Sequence, residues 1–490
     1  MSFRYSSSVE SVGNSNEPDI VYYNADIIAD AYDVKDVLNG VDKDPPIRFQ
    51  ETRSVPLISD ISKYMFSIIR FTMDGAGKDL PIFIPNINDT QPDVNLTTYA
   101  ITYEYTVYYV NPTTATNESK LFTAQRFVYY RPETIGAPIP NAPNAVASNG
   151  EFCGQDLRGR YYFVYTYGHW VDLVNEAFQS AWNGAELAVP DTYHPTKSIE
   201  AQWSAYWLTL GGTTLNQPIL QGSPPVLRYN PSTYRFSLFG NSYCCGNVIQ
   251  YNTTIPSNNP ANYVSPLPTQ AWSYGASPSY ATNLLRGTEL MNVWFNTDMF
   301  GMFANFRNIF LGNESSGRTN LILFIPNGNN YSKFENLNTF VQTPADAPAI
   351  GTSPIVYIEA EQEYESTSTL WSPISSIVFS STMIPIFPEQ TGTPLTYGEG
   401  NNNIPTESTS NFTPIITDIS VPMTRADDYR GFLSYTPTGE YRLSSFTGSR
   451  TELRNIDIQV FWKNRINNTL YPITMFNLSS VSIKMMFRKK

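Results

Sequence analysis

The residues best placed to do chemistry form a row of four carboxylates. In the segment IEAEQEYE, Glu359, Glu361, Glu363 and Glu365 recur at every second position. On a β-strand that spacing sets all four on one face, successive carboxylates about 7 Å apart. Four like charges in line repel unless water, a cation or basic side chains compensate them. Three readings follow: a solvated face that keeps a strand from pairing with another chain, a face that meets a basic neighbouring subunit, or a divalent-cation site, since hard cations bind clustered carboxylates. A second acidic pair, Asp427-Asp428, lies between Arg425 and Arg430. Charges of both signs so close in sequence read as an ion-paired turn. Paired carboxylates are also the minimum for glycoside hydrolysis, and Tyr- and Trp-rich surfaces suit sugars, but no spacing here selects an acid/base pair.

Other chemistry has little to draw on. The chain holds two histidines, His169 and His194. His169 opens an amphipathic helical segment beside Trp170 and reads as helix-start packing; His194 precedes Pro195 in a loop. Neither sits near a nucleophile signature. The sequence lacks G-x-S-x-G, H-E-x-x-H, a Walker loop and paired C-x-x-C, so no catalytic residue and no cofactor is expected. Cys153, Cys244 and Cys245 do not make a disulfide framework and read as buried thiols.

The elements that would position these groups are mostly strands. From Tyr99 to Val110, Ile101, Tyr103, Tyr105, Val107 and Tyr109 fall on one face, and Thr102, Glu104, Thr106 and Tyr108 on the other. Near the end of the chain Ile456, Ile458, Val460 and Trp462 alternate in one strand, and Val481, Ile483, Met485 and Phe487 in the last. Further strands are expected at 64–73, 82–84, 126–130, 160–167, 288–295, 320–325, 355–365, 374–386, 415–421, 433–435 and 441–443. Two segments have helical period instead. Trp170, Leu173, Val174, Ala177, Phe178, Ala181 and Trp182 form a stripe closed by Asn183-Gly184. A second helix starts at Asn296-Thr297, with Met299, Met302, Phe303 and Phe306 on one face. Each follows an expected strand, so a strand–helix unit occurs twice.

Residues 1–50 read as an extended, acidic arm. The stretch 184–225, rich in Pro, Gly, Thr and Gln, reads as a domain junction, giving a first β-sandwich over 51–222 and a second over 223–490, with a long polar loop at 389–412. Many short strands, long loops and one or two short helices indicate a mainly β chain of jelly-roll sandwiches, two in tandem being favoured over one with a large insertion.

Composition limits the partners. Of 490 residues only 15% are charged, against about 25% in typical soluble proteins, while 14% are aromatic, with 33 Tyr and 36 Pro. Assembly surfaces exclude charge from their centres and favour aromatic residues. The net charge of −12 and the lack of a basic arm argue against direct nucleic-acid binding. The basic residues Lys484, Arg488, Lys489 and Lys490 cluster at the end, which with the arm is expected to reach neighbouring subunits. No signal-peptide pattern and no membrane-spanning run is found, so synthesis in a cytosol is expected and the sequons, Asn95, Asn252 and Asn467 among them, read as a by-product of composition.

Taken together, the acidic Tyr/Asn/Pro-rich strands (YAITYEYTVYYV, NLILFIP), the helices containing VDLVNEAF and DMFGMFANF, and the close RNIDIQVFWKN…SVSIKMMFRKK resemble viral jelly-roll capsid proteins of virophages, polinton-like viruses and related icosahedral DNA viruses. The resemblance covers residues 50–490 in texture. It implies a virion protein that assembles with itself, as a homo-trimer or homo-pentamer, and with other capsid proteins. It implies a major capsid subunit with two jelly rolls, a penton or minor capsid protein with one being the alternative. A β-protein of a spike or tail that binds host glycan is a further reading.

Overall fold

In the computed structural model the chain divides into two units, one of Met1–Pro81 and Ser372–Lys490, the other of Ile82–Trp371. The structure describes residues 18–29, 46–74, 80–88, 93, 95–133, 160–184, 196–220, 223–241, 244–246, 290–303, 305–306, 308–310, 322–324, 341–342, 355–362, 372–387, 389–390, 412–420, 432–436, 442–447, 451–465, 468, 470–475 and 479–490. The division expected at 222/223 is therefore not where the chain divides. A unit built from both ends of the sequence has a second unit inserted in its middle.

The first unit opens with β1 (Ile20–Ile28), β2 (Arg48–Thr52) and β3 (Tyr64–Asp74). The chain then leaves for the second unit, which contains β4 (Leu96–Val110), β5 (Asn117–Tyr129), β6 (Val226–Asn230), β7 (Arg235–Asn241), β8 (Cys245–Gly246), β9 (Leu290–Phe295), β10 (Asn308–Phe310), β11 (Ile322–Phe324), β12 (Val341–Gln342) and β13 (Ile355–Glu361). Its helices are α1 (Tyr167–Asn183), α2 (Ile199–Thr209) and α3 (Thr297–Phe303). On its return the chain forms β14 (Ile374–Ser380), β15 (Glu389–Gln390), β16 (Phe412–Thr413), β17 (Ile415–Ile419), β18 (Phe432–Tyr435), β19 (Ser444–Ser445), β20 (Asn455–Asn464), β21 (Leu470–Pro472) and β22 (Ser480–Lys489).

In the first unit eight strands make two antiparallel sheets, ordered β1-β22-β3-β18 and β17-β14-β20-β2. Apart from the short β19 and β21, which pair with β3 and β20, successive strands cross between the sheets except at β14 and β17, which pair side by side. This is the interleaving of a jelly roll. The alternating faces read from the sequence supply its core: Ile456, Ile458, Val460 and Trp462 of β20, and Val481, Ile483, Met485 and Phe487 of β22, are all buried. Phe71 of β3 meets Phe379 of β14 edge to face at 5.0 Å, and Tyr23 of β1 meets Phe49 of β2 at 6.0 Å, joining the two sheets. The expected arm is corrected in part. Residues 20–28 pair along all nine positions with β22, and residues 48–52 with β20.

In the second unit β4 and β5 form a long hairpin within a sheet ordered β10-β11-β9-β4-β5, and a separate sheet runs β12-β13-β7-β6. Most of these pairings join neighbours in sequence, so the described strands do not repeat the jelly-roll order. Among the described residues the jelly-roll order occurs once, in the first unit, with the second unit inserted between β3 and β14. The helix and strand faces found by periodicity are each other's partners: Tyr99 packs on Trp170 at 5.3 Å, Tyr103 on Phe178 at 6.0 Å and Tyr105 on Trp182 at 4.7 Å. Thr166 caps α1, its hydroxyl accepting from the N–H of His169, and Gly184 closes it in the left-handed conformation, φ 66°. Residues 160–162 form a 3₁₀ turn and Val164 a single bridge to Phe83, so α1 does not follow a strand. β9 then α3 does follow the expected pattern.

The segment 184–225 is not a plain linker, because it contains α2. Ser198 caps that helix, and Ile199, Trp203 and Trp207, four residues apart, are its buried side chains. That i, i+4, i+8 spacing behind a serine was the signal for it.

Candidate functional site

The carboxylate row is only partly brought together. β13 ends at Glu361, and Glu363 and Glu365 lie outside the described residues, as does the side chain of Glu359. Ala360 and Gln362, on the opposite face, are buried, and the Gln362 side-chain oxygen accepts from the backbone N–H of Phe236 at 2.8 Å. Glu361 therefore faces away from that interior, and the guanidinium of Arg235 on the adjacent β7 lies 3.8 Å from it. Basic compensation for this carboxylate comes from the same chain. Both groups are half-exposed, so the pair contributes little to stability, about 0–1 kcal/mol.

His169 is buried at the start of α1, where its Nε2 meets the carbonyl oxygen of Arg131 at 2.7 Å. Burial, the largest influence, draws its pKa down, against the opposing pull of the Arg131 carbonyl, Glu133 and Asp172. The imidazole is thus neutral, its Nε2–H donated to a backbone oxygen, and its role is packing. Cys244 is a buried thiol. His194, Cys153, the Asp427-Asp428 pair with Arg425 and Arg430, and residues 1–17 of the arm lie outside the described residues.

The basic chain end is built into its own sheet. The Lys489 ammonium pairs with Asp19 at 3.9 Å, Lys484 lies over the Tyr22 ring at 5.0 Å, and the Lys490 N–H donates to the Lys63 carbonyl at 2.8 Å. These contacts tie that end into the first unit.

Sequence reasoning missed two polar groups that hold the architecture. Asp457 of β20 is solvent-inaccessible and clamps the turn after β14. It accepts from the Thr382 N–H at 2.9 Å, the Thr382 hydroxyl at 2.8 Å, the Met383 N–H at 2.8 Å and the Ser381 hydroxyl. Burial alone would raise its pKa; these hydrogen bonds outweigh burial and hold it below the usual carboxylate range. In the second unit the fully buried Arg126 of β5 donates to the carbonyl oxygens of Thr196 at 2.6 Å and Gln125 at 2.8 Å, and to the Ser180 hydroxyl of α1 at 3.3 Å. Both lie within otherwise alternating strands, and a lone charge there gives no local sign of being buried.

An eight-stranded jelly roll of two interleaved sheets is a fold that viral capsid proteins share with lectin domains and cupins. The family model for the Sputnik minor capsid protein V18/19 matches residues 21–241 and 251–489. The chain belongs to this family of virophage capsid proteins and is a component of the virion. Uncharacterized protein V18 of Sputnik virophage is 27% identical over 183 residues, 37% of this chain and 91% of that protein. The fold is similar to a chain of the cryo-EM structure of the Sputnik virophage, with a TM-score of 0.58 at 21% identity, covering 97% of this chain and 99% of that one. A crystal structure of the mavirus penton protein aligns with a TM-score of 0.45 at 12% identity over 96% of this chain and 100% of that one.

Proposed function

We propose that this protein is a vertex-type minor capsid protein, a penton, in which five copies close a ring through their jelly rolls. The observation that carries the reading is the one jelly roll seen among the described residues, formed by both ends of the chain around an insertion. A subunit with two jelly rolls fills a pseudo-hexagonal position as a trimer. A subunit with one supplies a single wedge, and five wedges suit a five-fold axis. The family's description as a minor capsid protein supports the same assignment over the major-subunit reading. Its partners are further copies and the surrounding capsid proteins, and its work is assembly, with no catalytic step. Light scattering on the purified chain across salt and protein concentration tests this. A mass near five times 55.2 kDa is expected, and a persistent trimer or monomer would overturn it.

A further inference from the structure

β1 is the outermost strand of its sheet. The Asp19 carbonyl accepts from the Lys489 N–H, and the Ala29 N–H donates to the Ser479 carbonyl, so the odd-numbered residues here turn their backbone toward β22. Ile20, Tyr22, Asn24, Asp26 and Ile28 therefore turn theirs the other way. Among the described residues none of those N–H and C=O groups has a hydrogen-bond partner. The usual protections of such an edge are missing: the strand has no proline and no lysine, and its register with β22 runs through all nine positions without a bulge. Tyr22, Asn24, Asp26 and Ile28 are exposed, Ile28 by 74%.

The order of the side chains selects the strand that fits. About Asn24 the segment IVYYNADII is self-complementary when two copies run antiparallel. Ile20 then lies opposite Ile28 of the second copy, Tyr22 opposite Asp26, and Asn24 opposite Asn24. On the inward face Val21 meets Ile27 and Tyr23 meets Ala25. The outward pairs are apolar with apolar, phenol with carboxylate and amide with amide, all of which stabilise neighbouring strands. Asp26 forms no ion pair among the described residues of its own chain. Opposite Tyr22 it comes beside the Lys484 ammonium, which lies 5.0 Å from the Tyr22 ring. In this register the even-numbered residues are the hydrogen-bonded pairs, so the outward N–H groups and carbonyls of both copies are all satisfied. Sliding by two residues one way leaves Ile20 unpaired. Sliding the other way sets Ile20 against Asp26 and leaves Ile28 unpaired, so only the register centred on Asn24 uses the whole edge.

We propose that β1 is a two-fold contact site that takes β1 of a second copy, antiparallel and centred on Asn24, joining the two sheets into one. The contact is isologous, whereas a ring closes through heterologous contacts, so it goes beyond the five-fold reading and does not rest on it. Cysteine variants of the full chain, oxidised in solution and mapped by peptide mass, test it. Asn24 faces itself with about 5.5 Å between Cα atoms, inside the range of about 4.4–6.8 Å that a disulfide spans. Asn24→Cys alone is therefore expected to form a cross-linked pair. Tyr22→Cys and Asp26→Cys, whose like positions sit about 13 Å apart, are each expected to stay uncross-linked alone and to cross-link when mixed. Asn24→Pro removes an N–H that β22 does not use. It is expected to keep the parent's melting midpoint while the concentration needed for pairing, read by analytical ultracentrifugation, rises at least about ten-fold. The proposal is overturned if Asn24→Cys stays uncross-linked, as it would with a strand of another protein on this edge. It is also overturned if Tyr22→Cys alone cross-links as readily as the mixture, or if Asn24→Pro pairs at the parent's concentration. A five-copy mass without the cross-link removes the pairing and leaves the ring; the cross-link without a five-copy mass does the reverse.

Discussion

Replacing Asp457 tests whether a buried carboxylate holds the jelly roll closed. The side chain accepts from two backbone N–H groups and two hydroxyls of residues 381–383, and the Ser381 hydroxyl in turn accepts from the Ile384 N–H at 2.8 Å. In Asp457→Ala the hydroxyls can turn to other acceptors, whereas the N–H groups of Thr382 and Met383 lose the charged acceptor that fixes the turn. At about 1.5–3 kcal/mol for each of two N–H bonds to a charged acceptor, the loss is about 3–5 kcal/mol. For a unit of this size that lowers the melting midpoint by roughly 10 °C. Asp457→Asn keeps one acceptor but turns an NH₂ donor toward other donors, and is expected to lose about 2–3 kcal/mol. The pH dependence separates charge from shape. The folded pKa is depressed, so the stabilisation is present above the ordinary carboxylate range and fades as pH falls through the folded value. The parent should therefore lose stability more steeply than Asp457→Asn as pH falls below the ordinary carboxylate range. Thermal unfolding followed by circular dichroism measures both; an alanine variant melting within about 2 °C of the parent would refute the clamp.

Three other perturbations probe the remaining structure. His169 is held neutral, with its folded pKa below the unfolded one, so stability should decline as pH falls below about 6.5; chemical denaturation at pH steps should show that slope flattened in His169→Gln. Gly212→Ala sets a methyl group into the Trp207 indole and should destabilise the second unit by about 1–3 kcal/mol, seen as an earlier unfolding midpoint by tryptophan emission, an unchanged midpoint arguing against the packing. Deleting residues through Ile28 removes β1 and leaves β22 as an open edge along nine positions; size-exclusion chromatography should then show aggregate where the full chain shows a defined assembly.

What the sequence by itself determined is local periodicity. The inward faces of β20 and β22, the apolar face of β4, the stripe of α1 and its C-terminal stop all follow from alternation, helical spacing and an Asn-Gly signal, which depend only on near neighbours in the chain. Glu361 could likewise be placed opposite a buried face. Only the tertiary structure decided the rest. Residues 20–28 have two buried side chains, Tyr23 and Ala25, too few to announce a strand; they become one because β22, more than 450 positions away, supplies the ladder. Asp457 looks like a solvent-facing residue of its strand until a turn from 381–384 folds over it. The unit boundary went to the Pro- and Gly-rich stretch because composition marks loops, whereas the real joins, Pro81 to Ile82 and Trp371 to Ser372, carry no compositional mark. They exist because Met73 pairs with Val481 and Phe379 with Val460, and contacts at such separations are set by the packing of two whole sheets, which no window of sequence contains.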